Sequence, residues 1–114
     1  MAIRSTNFTN EEFYHLYNRG NSKQQIFHDT QDYKRLTGLL YACNQQDSFR
    51  SQRLEKNEGL FQVKRNDPIV GIGAYCVMPN HFHILITQIT DNGISRFMQK
   101  FTTAYVMYYN KKYH

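Results

Sequence analysis

A chain of 114 residues with 40% hydrophobic and 15% aromatic side chains, six Gly and two Pro can bury one core and is too short for a multidomain enzyme. Fourteen Lys/Arg against nine Asp/Glu leave a net charge of +5, which favours a polyanionic partner, nucleic acid ahead of a membrane surface. No apolar run approaches the roughly eighteen residues of a membrane span, and MAIRSTNFTNEEF has no signal-peptide stretch, so the expectation is a soluble cytoplasmic protein with no membrane partner.

In chain order, the aromatic segment FYHLYNR from Phe13 to Arg19 ends in the turn-forming Asn18-Arg19-Gly20-Asn21 and predicts a first strand. Asp29 then precedes apolar residues at Tyr33, Leu36, Leu39, Leu40 and Cys43. Their helical spacing, with Asp32 placed to satisfy free N–H groups at the start, predicts a helix over 30–46. Gln45 to Asn57 is polar and mixed in charge, as an exposed connection would be, and Gly59 to Lys64 is a candidate short strand before Asp67-Pro68. Ile69 to Val77 is apolar throughout, which predicts a central strand covered on both faces. Met78-Pro79-Asn80 turns the chain into Phe82 to Gln88, so the two strands form an antiparallel hairpin. After Asp91-Asn92-Gly93, apolar residues at Ile94, Phe97, Met98, Phe101, Tyr105 and Tyr108 step down one face of a helix near 93–110. The order gives an α+β fold, two helices on one face of an antiparallel sheet, with a last strand missing. Cys43 and Cys76 lie in apolar surroundings without zinc spacing and are expected to be buried reduced thiols.

Pro79-Asn80-His81-Phe82-His83 carries the most chemistry. Two imidazoles two residues apart on a strand point to the same face, so they can share one divalent ion. Two ligands leave positions open for a third protein group, water or phosphate oxygens. The alternative is structural: His81 caps the turn and His83 is hydrogen-bonded within a half-covered sheet.

The segments YHLYNRGNSKQQIFHDTQDYKRLTGLL, AYCVMPNHFHILIT and ISRFMQKFTTAYVMYYNKKY together resemble the single-tyrosine HUH transposases, in particular the REP-associated tyrosine transposase group. The resemblance covers about 14–45 and 72–113, and the 46–68 connection carries none of it. It implies a ferredoxin-like sheet, a homodimer, and binding of single-stranded or hairpin DNA. By the same resemblance His81 and His83 hold Mg²⁺ or Mn²⁺ at the scissile phosphate, and a tyrosine attacks to leave a 5′-phosphotyrosine link, with no ATP or nucleotide cofactor.

The chain departs from that pattern after its last helix. The Gly/Trp/Arg-rich stretch and Asn-Pro pair that mark the family's nucleophile do not follow Tyr113. The expectation is therefore one HUH domain over 1–114, truncated at its C-terminus and lacking both the nucleophile and the third metal ligand. Tyr105 is the candidate nucleophile within the chain, but Tyr105 and Tyr108 continue the apolar stripe and read as core, while Tyr109 and Tyr113 face solvent. Arg19, Lys23 and Lys100 are the candidate DNA contacts, and His15 and His28 read as structural. Two functions follow: the metal-and-DNA part of a DNA transesterase, or a single-stranded nucleic-acid-binding module that does not cut. A two-histidine phosphoesterase, which uses paired HxT or HxS motifs, is disfavoured because His81-Phe82-His83 occurs once.

Overall fold

The computed structural model describes residues 8–19, 24–47 and 59–114, with the backbone alone for Arg19. They form β1 (Phe13–Arg19), α1 (Thr30–Ala42), β2 (Val70–Met78), β3 (His81–Gln88) and α2 (Gly93–Tyr113), in that order. Turning at Pro79-Asn80, β2 and β3 pair antiparallel from Met78 opposite His81 to Val70 opposite Gln88. On the other side of β3, β1 pairs antiparallel from Arg19 opposite His81 to Phe13 opposite Thr87. The strand order is β1-β3-β2. The α+β class and the hairpin expected from the sequence are both present, with three strands among the described residues.

Burial alternates along β3: Phe82, Ile84 and Ile86 are buried, and His81, His83 and Leu85 are not. The buried set shares one core with Leu36, Leu39 and Leu40 of α1 and with Ile94, Phe97, Phe101 and Tyr105 of α2. Both helices therefore cover the same face and leave the other open. Aromatic packing joins the layers: the Phe101 ring stacks on Phe97 at 5.4 Å and meets Phe82 edge-on at 5.6 Å.

Three expectations need correction. Among the described residues the apolar strand 69–77 is neither central nor covered on both faces: β2 pairs with β3 alone, and Gly73 to Cys76 are exposed. An apolar run shows that neither face is strongly polar, but helices exist to cover only one of them. Cys76 is exposed for the same reason, whereas Cys43 is buried and its thiol is pushed up to about 12 by that burial. Gly59 to Lys64 is no strand; residues 59–62 turn, and Leu60 plugs against α1 at Gly38, where a Cβ would lie 2.6 Å from Leu60 Cδ1.

Helix ends follow local hydrogen bonds. The Asp29 carboxylate caps α1 by accepting from Asp32 N–H at 3.0 Å, and Asp32 accepts from His28 N–H at 2.8 Å. The helix stops at Ala42, short of the expected 46, because Asn44 is committed to β2. Its Oδ1 accepts from the Ile69 and Val70 N–H groups at 2.9 and 3.0 Å, and its amide donates to the Val70 carbonyl at 2.8 Å. At the other end of the fold α2 runs on to Tyr113, past the expected 110. Its last turn is held by Asp32, which accepts from Tyr108 (2.7 Å), Tyr113 (2.6 Å) and Lys112 (2.9 Å).

Candidate functional site

Strand alternation and antiparallel register place the candidate side chains on the face opposite α1 and α2. There β3 supplies His81, His83 and Leu85; β1 supplies Phe13, His15 and Tyr17; β2 supplies Cys76 and Met78, opposite His83 and His81. The face mixes imidazoles with uncovered apolar groups, among them Tyr17 at 65% exposure and Phe13 at 56%. An exposed apolar patch of this kind on a sheet marks a binding surface more often than a solvent face.

The His81 and His83 rings lie 4.9 Å apart, centre to centre, and nearly perpendicular at 85°. An ion about 2.1 Å from a ring nitrogen sits roughly 3 Å from that ring's centre, so rings up to about 6 Å apart can share it. The pair passes that test. His81 Nδ1 is 2.7 Å from Asn80 Oδ1, an acceptor, and the neutral tautomer that makes this hydrogen bond carries its lone pair on Nε2. Imidazole nitrogens by themselves suit Zn²⁺, Cu²⁺, Fe²⁺ and Ni²⁺, and Mg²⁺ or Mn²⁺ would draw on oxygen ligands as well, such as water or phosphate. Among the described residues no group of three or more His, Cys, Asp or Glu side chains is arranged to hold a metal, so the pair would supply two ligands and leave the rest of the shell to other groups.

Two neighbours of the pair escaped the sequence reading. His15, read as structural from the sequence, has its Nε2 2.8 Å from His83 Nδ1, and the two rings lie edge to edge with centres 5.0 Å apart. Tyr17 flanks both, its ring 6.0 Å from His83 and 6.1 Å from His15. The signal was present in FYHLYNR, where His15 and Tyr17 alternate as His81 and His83 do. What a single sequence does not show is the register that sets one alternation against the other.

The other candidates scatter. The Arg19 backbone pairs opposite His81, at the same end of the sheet, but its side chain and all of Lys23 lie outside the described residues. Lys100 is remote from the open face: its ammonium donates to the Gln45 carbonyl and, at 2.7 Å, to that of Asp47. Burial foremost, then neighbouring Arg96, lowers its pKa. Arg96 is tied into the same loop, donating to the Gln46 carbonyl at 2.7 Å. Lys100 thus anchors the segment after α1.

The α2 tyrosines are equally committed. Tyr105 is 2% exposed and donates to the Ile26 carbonyl at 2.5 Å, and burial foremost, then the charge of Asp32, raises its pKa. Tyr108 and Tyr113 are also raised, first by burial and then by bonding to Asp32. Tyr109, expected in solvent, is partly buried, with its hydroxyl 2.8 Å from His28 Nε2.

A family model described as "Transposase IS200 like" matches residues 9–114, nearly the whole chain and every group described above. The chain belongs to the IS200-like transposase family. Membership of the IS200-like transposases places the chain among proteins of DNA transposition that bind single-stranded DNA. No significant match to it was found among curated proteins or solved structures. Among the described residues no helix is long and apolar enough to cross a membrane.

Proposed function

We propose that the open sheet face binds single-stranded DNA, including hairpin ends, and that His81 and His83 hold a Mg²⁺ or Mn²⁺ ion at a backbone phosphate for strand transesterification. One observation carries the reading: two near-perpendicular imidazoles 4.9 Å apart on the sheet face opposite α1 and α2. When bound, the ion supplies Lewis-acid stabilisation of the charge that develops on the phosphoryl oxygens. Asn80 fixes His81 for that task through its Nδ1 contact. Tyr17 and Phe13 offer exposed rings on which bases can stack, and the net charge of +5 attracts the backbone. Arg19, opposite His81 in the register, is the proposed phosphate contact nearest the pair. A homodimer belongs to the same proposal and rests on the family; light scattering at tens of micromolar should give twice the chain mass.

Calorimetry with Mn²⁺ tests the pair. Wild type should release heat on binding, and His83→Ala should lose it. Equal heats from the two proteins would assign the histidines a structural role and favour the non-cutting binder.

Affinity for a fluorescent single-stranded oligonucleotide should fall with salt at a log–log slope of about −0.7 per phosphate neutralised. Arg19→Ala should flatten that slope by about one such unit. Affinity indifferent to salt would contradict backbone recognition.

Attack by an α2 tyrosine does not belong to this mechanism. Each hydroxyl is bonded within the fold, and Tyr105 would have to leave the core to reach solvent. With single-stranded DNA and Mn²⁺, a denaturing gel should show no covalent adduct that Tyr105→Phe removes; such an adduct would place the nucleophile on α2.

A further inference from the structure

We infer that His15 is a positioning residue for His83: it accepts a hydrogen bond from His83 Nδ1 and so sets the tautomer in which His83 presents Nε2 to an ion. The inference deepens the reading of His81 and His83 as the ion-holding pair and rests on it. The contact lies at hydrogen-bond length, 2.8 Å between His15 Nε2 and His83 Nδ1. The two residues are not direct cross-strand partners, since His15 faces Leu85 and Tyr17 faces His83. They are diagonal neighbours, which large rings on one sheet face can bridge.

Two imidazoles joined nitrogen to nitrogen hold one proton between them, so two arrangements exist. If His15 donated, the proton of a neutral His83 would sit on Nε2, and that nitrogen could not bind an ion. If His83 donates, its lone pair sits on Nε2. Holding an ion on the pair decides between them, because an ion needs a lone pair on each ring. His81 Nδ1 is already a donor to Asn80 Oδ1, which leaves the His81 lone pair on Nε2. With His83 as donor the two rings take the same tautomer, each with Nδ1–H held by an acceptor and each with an Nε2 lone pair. The opposite arrangement would put a proton on His83 Nε2, which could then donate to the His81 lone pair and close both positions to an ion. The nitrogen-to-nitrogen contact, with the rings edge to edge at 20° between planes, and the flanking Tyr17 ring resist a flip of His83 that would exchange its nitrogens. Groups that hold the second nitrogen of a metal-binding histidine fix ring orientation and tautomer, and their loss typically weakens metal binding 10- to 100-fold.

The test uses the whole chain labelled with ¹⁵N-histidine. Long-range nitrogen–proton correlation in alkaline, metal-free buffer should find His81 and His83 of wild type both protonated at Nδ1. In His15→Phe, His83 should shift toward the Nε2–H form that an unconstrained imidazole prefers, and Mn²⁺ should bind roughly 10- to 100-fold more weakly. His15→Gln, whose amide oxygen can accept from His83, should recover most of the affinity; a ring needed only for packing would not be rescued this way. Wild-type His83 protonated at Nε2, or a tautomer and Mn²⁺ affinity unchanged in His15→Phe, would overturn the inference. If His15→Phe does not fold, the wild-type tautomer alone decides. A wild-type protein with the expected tautomer that binds no Mn²⁺ would instead sink the ion-holding reading and leave His15 as the group that orients His83.

Discussion

Asp32→Ala should lower the unfolding free energy by about 3 kcal/mol at neutral pH, because it strips the acceptor from a buried network and leaves Lys112 short of a partner. Asp32 is 0% exposed, yet it accepts from the Tyr108 and Tyr113 hydroxyls, the Lys112 ammonium and the His28 N–H. Burial by itself would push this carboxyl up. Hydrogen bonds from Tyr113, Tyr108, His28 and Lys112 outweigh it and hold the carboxyl at about 2. The folded value lies below the ordinary 3.8, so the ionised form stabilises the fold. That stability is complete above pH 4, shrinks as pH falls from 4 through 2, and amounts to about 2 kcal/mol. Urea unfolding of wild type and Asp32→Asn at pH 7, 4 and 2 checks the sign. Wild type should lose more stability than Asp32→Asn between pH 4 and 2; equal losses would mean that other carboxylates govern the acid response.

Phe101→Ala should cost more, about 3–5 kcal/mol, a large part of the 5–15 kcal/mol of a typical domain. The side chain is fully buried and bridges the layers, touching Phe97 on its own helix and Phe82 on β3. The cavity it leaves is walled by aromatic rings that can close only partly. Tyr17→Ala is the informative control, since that ring is mostly exposed and its loss should change stability by no more than about 0.5 kcal/mol. Thermal melts should therefore separate the two substitutions widely, whereas oligonucleotide binding should weaken in Tyr17→Ala. A similar loss of stability in both would show that the open face is part of the core in solution.

Periodic features were legible from residues alone. The three- and four-residue steps from Ile94 to Tyr105 have one helical interpretation, and α2 buries that stripe. His81, Phe82 and His83 alternate across a strand with Phe82 inward. Features set by distant partners were not legible. The apolar composition of β2 does not say which face the helices cover, so the residues alone predict a central strand with Cys76 buried, whereas Cys76 is exposed. Lys100 resembled a solvated helix charge because nothing local announces the Gln45 and Asp47 carbonyls it serves. His15 depended on a register between strands 68 positions apart. The Asp32 network joins the first turn of α1 to the last turn of α2, and only the helix-start role of Asp32 was readable.

The central claim is that the open face, at His81 and His83, is where an IS200-like transposase chain meets a divalent ion and the DNA phosphate beside it. Paramagnetic broadening by substoichiometric Mn²⁺ in the amide NMR spectrum tests it most directly. Signals of His81, His83, His15, Tyr17 and Cys76 should vanish first, while those of Phe97, Phe101 and Tyr105 on the covered side persist. Broadening centred instead on Asp29 and Asp32, or spread evenly over the chain, would contradict the account.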